Sequence, residues 1–237
     1  MNILDFRKNV KNIIAELPRK EEKIKKRSKD DITMIVIHNS ADDDNQDEAD
    51  VYKIAKYHTS PGCHVCAEGC PSICYHSYIE KTARKTVIYE TAFPEDIVYA
   101  VGPWNKCSYN ICLDYKNIEN LKPDTYRALV YYVAMLCVEF SLNPFFTIFG
   151  HRNLETTGWY VKDGIKLRRK SCPSGLSISQ LRKDVVDLLH IDLLKSDKDF
   201  YNSINLNFLS FKSYDLIIDG MKYKRYYKKE DVDVPGY

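Results

Sequence analysis

Two imidazoles and one thiolate, far apart in the chain, constrain its fold most, because each stands where a strand end or loop would present it to a common site. His38 ends the apolar run Ile32-Thr-Met-Ile-Val-Ile37, which reads as a buried strand with the imidazole at its carboxyl end. His151 follows a second short apolar run, Phe145-Phe-Thr-Ile-Phe149, read as another strand, and then Gly150, which lets the backbone turn sharply. Cys172 lies in Lys170-Ser-Cys-Pro-Ser174, a loop just ahead of a predicted helix. Two neutral imidazoles and a thiolate make a three-ligand zinc set that leaves the fourth tetrahedral position open for water, as in catalytic rather than structural zinc. Each residue alone has a plainer reading, a hydrogen-bonded histidine or a small buried cysteine. The ordered set, with its neighbours, points to a metal.

The segments His38-Asn-Ser-Ala41, Cys74-Tyr-His-Ser-Tyr-Ile79, Trp104-Asn105 with the strand near Ile111, Gly150-His-Arg152 and Lys170-Ser-Cys-Pro-Ser174 follow one another in this order. In that order the chain resembles the zinc-dependent N-acetylmuramoyl-L-alanine amidases of the phage-lysozyme and peptidoglycan-recognition-protein type, the amidase type 2 family. The resemblance implies Zn2+ on His38, His151 and Cys172, with Tyr75 and Lys170 as catalytic residues. Tyr75 would orient the water or relay a proton to the leaving nitrogen, and Lys170 would stabilise the oxyanion of the tetrahedral intermediate. Lys170 also closes the basic run Lys166-Leu-Arg-Arg-Lys170, so a solvated charge is its alternative reading. Asn39, Trp104 and Asn105 are the implied substrate contacts. The implied substrate is the peptidoglycan amide between the lactyl group of N-acetylmuramic acid and L-alanine. Binding-only relatives typically lose the thiolate, and Cys172 is retained here.

Composition narrows the setting. Of 237 residues, 44% are hydrophobic and 29% charged, ordinary values for a globular chain with one sizeable domain and an appended piece. A net charge of +2 offers no global case for nucleic-acid binding. No apolar run approaches the ~18 residues that span a bilayer, so no membrane insertion is expected. The start, Met1-Asn-Ile-Leu-Asp-Phe-Arg-Lys8, lacks the basic, apolar and small-residue succession of a signal peptide. The expectation is a protein made in a host cytoplasm that reaches the wall through holin release or as a virion component. Its partners are then peptidoglycan and, in the virion case, tail or capsid proteins. A cytoplasmic recycling amidase would share these features.

Four of the eight cysteines crowd into Cys63-His-Val-Cys66-Ala-Glu-Gly-Cys70-Pro-Ser-Ile-Cys74, spaced C-x2-C-x3-C-x3-C. Cys63, Cys66, Cys70 and Cys74 are a candidate second, structural metal site, with His64 as a spare ligand. One or two disulfides, or free thiols, are the competing readings. Cys107, Cys112 and Cys137 sit in apolar settings and read as core.

Periodicity predicts an α/β fold, a mixed central β-sheet flanked by helices. An amphipathic helix is expected around Phe6, Val10, Ile13, Ile14 and Leu17, then a solvated charged run from Lys20 to Asp31; together residues 1–30 form a basic leader. Residues 31–195 form the amidase domain. Within it a helix is expected over 47–57, strands over 75–80, 86–90, 97–101 and 109–115, and a long helix from Pro123 to about Leu142. A last helix begins near Ser177, where Ser177 and Gln180 match a capping box. Lys81-Thr-Ala-Arg-Lys85 stands where the family has a tight Asp-Gly turn, which predicts a longer hairpin loop.

Two departures from the family remain. The stretch 152–171 between His151 and Cys172 is longer than in many relatives and holds Gly158-Trp-Tyr160, so Trp159 is a candidate stacking contact for substrate. Residues 196–237 are rich in aromatics and lysine and read as a small hairpin with Asp219-Gly220 at its turn, for docking, wall binding or packing on the domain. Against the hydrolase stand two other classes on the same fold, a peptidoglycan-binding module and a structural virion protein.

Overall fold

The structure, a computed structural model, describes residues 3–41, 50–83, 85–154, 159–162, 165–168, 171–195, 211–218 and 221–228. The chain runs through β1 (Val10–Asn12), β2 (Met34–Asn39), α1 (Asp50–Thr59), β3 (Ser77–Lys81), β4 (Thr86–Glu90), β5 (Ser108–Leu113), α2 (Pro123–Glu139), α3 (Pro144–Thr147), β6 (Ile148–Gly150) and α4 (His151–Leu154). It continues through the hairpin β7 (Trp159–Lys162) and β8 (Ile165–Arg168), then α5 (Ile178–Lys195), and the hairpin β9 (Phe211–Ile218) and β10 (Met221–Lys228). Six strands form one sheet in the order β1-β4-β3-β5-β2-β6. Only β3 and β4 pair antiparallel within it, so the expected mixed α/β architecture holds.

Side-chain alternation along the strands assigns the two faces. Ile35 and Ile37 of β2, Ile79 of β3, and Tyr109, Ile111 and Leu113 of β5 pack with Leu129, Val133 and Leu136 of α2 and with Leu181 and Val185 of α5. The opposite face carries Tyr78, Tyr89 and Cys112 against Val51 and Ala55 of α1, and beside them Met34, Val36 and Phe149. Strand β2 lies between two parallel neighbours and buries both faces, which is why its sequence is a continuous apolar run. His38 follows Met34 and Val36 in the alternation and so emerges on the second face, away from α2.

The amino-terminal segment departs from the expected amphipathic helix. Phe6, Ile13, Ile14 and Leu17 are buried as their pattern implied, but the backbone alternates 3-10 turns with a strand. The edge of β4 offers unpaired carbonyl and N–H groups, and β1 takes them in parallel register, Val10 opposite Ile88. Nor is the charged run solvated throughout. Arg19 Nη2 lies 3.0 Å from a fully buried Asp96 carboxylate, which Lys26 also pairs. Arg27 donates to the carbonyls of Pro94 and Asn105, each at 3.0 Å, and burial pushes its guanidinium down to about 10, still charged at neutral pH. These contacts pin the 91–106 loop. Replacing Asp96 by alanine leaves Arg19 without its buried partner, and an unfolding titration is expected to show a loss of about 3 kcal/mol. A loss below about 1 kcal/mol would mean that water already screens the pair.

Other elements shift for local reasons. The strand expected over 97–101 is absent; Ala100 and Val101 donate their N–H groups to Asn105 Oδ1 at 3.0 and 2.7 Å, and a 3-10 helix with Pro103 near its start follows. The run Phe145–Phe149 begins as helix, because Asn143 caps it by accepting from the Phe145 N–H at 3.0 Å, and only Ile148–Gly150 is strand. At α5 the Ser177 hydroxyl accepts from the Gln180 N–H at 3.2 Å, while the Gln180 amide turns to Asp184 instead of completing the box. The β3–β4 loop closes through the Thr82 N–H and the Lys85 carbonyl at 3.0 Å. The tail hairpin is present as β9 and β10, and Asp219-Gly220 lies outside the described residues.

Glu80 in β3 is buried beneath α1, where its Oε2 accepts from the Val51 N–H at 3.3 Å. Burial first, then the charges of Asp114 and Asp50, push its carboxyl up to about 7. The unfolded chain therefore ionises this group before the folded one does. Stability falls as pH rises from about 4.3 through 7, and the change saturates above that, at on the order of 2 kcal/mol after a discount for partial solvent access. Glu80→Gln is expected to flatten this part of the stability profile and to raise the melting temperature at pH 8. An unchanged slope between pH 5 and 7.5 would assign the titration elsewhere.

Candidate metal centre

His38 is oriented by the neighbouring strand. Its Nε2 lies 3.0 Å from Asn110 Oδ1, and the Asn110 amide nitrogen donates to Ser108 at 3.3 Å to the carbonyl and 3.0 Å to the hydroxyl. The amide is thus turned with oxygen toward the ring, so Nε2 carries the proton and Nδ1 is left with a lone pair for a ligand. Asn110 is in turn held by its N–H to His76 Nδ1 at 3.0 Å, a histidine that burial keeps neutral. His151 opens α4 directly after β6, and the His38 and His151 rings meet edge-on at 4.7 Å between centroids. Gly150 matters here for close packing and not for a left-handed turn: a Cβ there would lie 2.7 Å from Pro173 Cδ.

The cysteine arrives on a loop tied to the same two strand ends. Arg152 donates its backbone N–H to the Cys172 carbonyl at 2.7 Å, and its guanidinium reaches the carbonyls of Ser171, Pro173 and Leu176. Asn39, a residue expected to contact substrate, also braces this loop: its N–H approaches Cys172 Sγ at 3.4 Å and its Oδ1 accepts from the Ser174 N–H at 3.1 Å. Cys172 Sγ then stands 3.8 Å from His38 Nδ1. Donor atoms of His38, His151 and Cys172 all lie within 4.8 Å of one another. Tetrahedral zinc with bonds of about 2.0–2.3 Å sets ligand-to-ligand edges of roughly 3.3–3.8 Å, so the donor set and its spacing fit that ion.

These residues line a cavity of about 750 Å³. It is lined further by Tyr57, His58, His64, Val65, Cys74 and Tyr75, and by the loop from Tyr99 to Pro103 with Asn105. The Tyr75 ring lies 5.2 Å from that of His38. Burial above all, then the nearby Cys112 and Cys172 sulfurs, hold its phenol well above the ordinary value, so it stays a neutral O–H donor. His58 is buried behind it, accepts from the Cys74 N–H at 3.2 Å, and is pushed down to about 4 by desolvation. The exposed Tyr57 and His64 of the lining stack at 5.7 Å with a hydrogen bond between them.

The other expected site residues divide. Asn105 lines the cavity while folding its own loop. Trp104 is core: it is buried with Met34, Val36 and Phe149, and its indole N–H donates to the Leu154 carbonyl at 3.0 Å, so it supports the wall from behind. Trp159 is placed in β7, opposite Arg168 of β8, and its side chain lies outside the description; Lys170 lies outside the described residues. Asn110, His58 and the Arg152 clamp were not expected. Asn110 alone had a local signal, a polar amide inside a run of strand formers.

A mixed sheet that presents two imidazoles and a thiolate to an open cleft places the molecule with the hydrolases and recognition proteins of the amidase fold. The chain belongs to the N-acetylmuramoyl-L-alanine amidase family, whose pattern its sequence matches over residues 28–175. Among solved structures, the LysCS endolysin amidase from Clostridium intestinale is similar at a TM-score of 0.52 and 15% identity, over 75% of this chain and 95% of that one. The Ph2119 endolysin of a Thermus scotoductus bacteriophage is similar at 0.50 and 17%, over 74% and 98%. Drosophila peptidoglycan recognition protein SD is similar at 0.53 and 15%, over 73% and 93%. Comparison with curated proteins finds no match. Among the described residues no helix is long and apolar enough to cross a membrane.

Proposed function

We propose that the protein hydrolyses the amide between N-acetylmuramic acid and L-alanine in peptidoglycan, with zinc held by His38, His151 and Cys172. The observation that carries this reading is the retained His-His-Cys set, gathered within 4.8 Å beside an open cavity. Bound there, zinc supplies Lewis acidity, making water nucleophilic near neutral pH and polarising the scissile carbonyl. Asn110 keeps the His38 proton on Nε2. Tyr75 Oη, kept neutral, orients water or passes its proton toward the leaving nitrogen. Lys170 is assigned the oxyanion, by its place two residues before Cys172. Tyr57 and His64, exposed in the cavity lining, offer flat faces for sugar or peptide.

The same reading assigns 31–195 as the amidase domain, residues 1–30 as a leader that lends strand β1 and buried side chains to that domain's sheet, and 196–237 as a docking or wall-binding extension. It makes the protein a phage endolysin or virion-associated lysin, acting on the wall after holin release or with tail or capsid proteins. The test is digestion of purified peptidoglycan, with products identified by mass spectrometry. Stem peptides with a free L-alanine amino terminus, lost on chelation, are expected. Intact lactyl-alanine linkages despite bound zinc and measurable muropeptide binding would leave a recognition protein in its place.

A further inference from the structure

The loop between α1 and β3 carries four cysteines, and none is among the three ligands above. All four are free thiols, and Cys63, Cys70 and Cys74 are buried. Three of their sulfurs gather around the fourth: Cys70 Sγ lies 2.8 Å from Cys66 Sγ, 3.4 Å from Cys74 Sγ and 3.9 Å from Cys63 Sγ. The Cys66 N–H points at Cys63 Sγ at 3.2 Å, and backbone groups of Val65 and Cys70 are directed at the same sulfur. Cys63 Sγ also stands 3.1 Å from the Cys66 carbonyl, a contact its thiol proton makes, and once that proton is lost the backbone donors would stabilise the thiolate.

The backbone is built to hold this grouping. Gly69 has φ +80° and a Cβ there would lie 2.3 Å from the Thr59 carbonyl oxygen, so glycine alone allows the close return of the loop onto α1. The next residue donates its N–H to the His58 carbonyl at 2.7 Å, and Lys20 Nζ caps the Thr59 carbonyl at 3.2 Å. Val65, half exposed, and Ile73 are the only large aliphatic side chains between Cys63 and Cys74. Apolar packing alone gives such a segment little to fold around, the situation in which a bound metal supplies folding energy.

We propose that Cys63, Cys66, Cys70 and Cys74 bind a second, structural zinc ion as a tetrathiolate. Zinc–sulfur bonds of about 2.3 Å set sulfur–sulfur edges of roughly 3.8 Å. Two of the observed separations, 3.9 and 3.4 Å, are near that edge. The Cys66–Cys70 pair at 2.8 Å must open by about 1 Å, and Cys63, Cys66 and Cys74 must arrange themselves with Cys70 about one centre. One disulfide, with its bond near 2.05 Å, would leave two of the four thiols over, and two disulfides would have to bring both pairs to that distance; zinc engages all four from one position. The thiol protons leave to solvent on binding, so affinity falls as pH drops. Cys74 precedes Tyr75 and donates its N–H to His58, so the ion would stiffen the cavity wall that carries Tyr75.

The assignment does not rest on the amidase reading, and its test separates the two. Full-length protein, purified in reducing buffer with zinc, is analysed for metal beside Cys172→Ser and Cys66→Ser/Cys70→Ser. Two zinc ions per chain are expected in the parent and one in each variant. Cobalt loaded into Cys172→Ser should show the intense thiolate charge-transfer absorption of a tetrathiolate. Because Cys172→Ser leaves the loop intact, misfolding of the loop variant does not obscure the result. Absence of metal from folded Cys172→Ser would overturn the site, as would iron with sulfide in it, or a Cys66–Cys70 disulfide in zinc-replete reduced protein.

Discussion

Cys172→Ser is expected to lower peptidoglycan hydrolysis by roughly a thousandfold or more, with the sheet and helices unchanged by circular dichroism. Thiolate brings an anionic, polarisable donor, whereas a serine hydroxyl stays protonated near neutrality and binds zinc far more weakly. Without the ion the water would lose the Lewis acid that brings its pKa down to about 7, and would be a far weaker nucleophile. The fold should survive, since the loop is held mainly by Arg152 and Asn39 to backbone groups rather than by the sulfur. Activity within tenfold of the parent would remove metal chemistry from the proposed function.

Tyr75→Phe is the second large effect. With a general acid or water-orienting group removed, kcat is expected to drop by about 10²–10⁴ while zinc content and KM change little. The ring packs partly against the α1 face of the sheet and phenylalanine keeps that packing, so stability should hardly move. A raised KM at unchanged kcat would make Tyr75 a substrate contact only.

The strands that matter were legible because burial wrote their sequences. Ile32–Ile37 had to be apolar on both faces between two parallel neighbours, and α2 announced itself by helical spacing behind Pro123. The amino-terminal segment misled for a physical reason. Phe6, Ile13, Ile14 and Leu17 carry a helical spacing, yet Phe6 packs with one core cluster and Ile13 and Leu17 with the other, and the open edge of β4 offered Val10–Asn12 ladder bonds that an isolated short helix could not match. Trp104 was read as a site residue from its neighbours in the motif, and its burial depends on Leu154, distant in sequence, accepting its N–H.

The sequence by itself determined the three candidate ligands, since His38, His151 and Cys172 each carry a local signature of strand end or loop, and the family follows from their order. Tertiary structure alone decided what makes them one site: Asn110 selecting the His38 tautomer, Arg152 and Asn39 clamping the cysteine loop, and the charged leader bracing the 91–106 loop through Asp96. These are contacts between residues tens of positions or more apart. Each is made by a polar group whose partner no local period or spacing encodes, and its energy exists only once burial has removed the competing water.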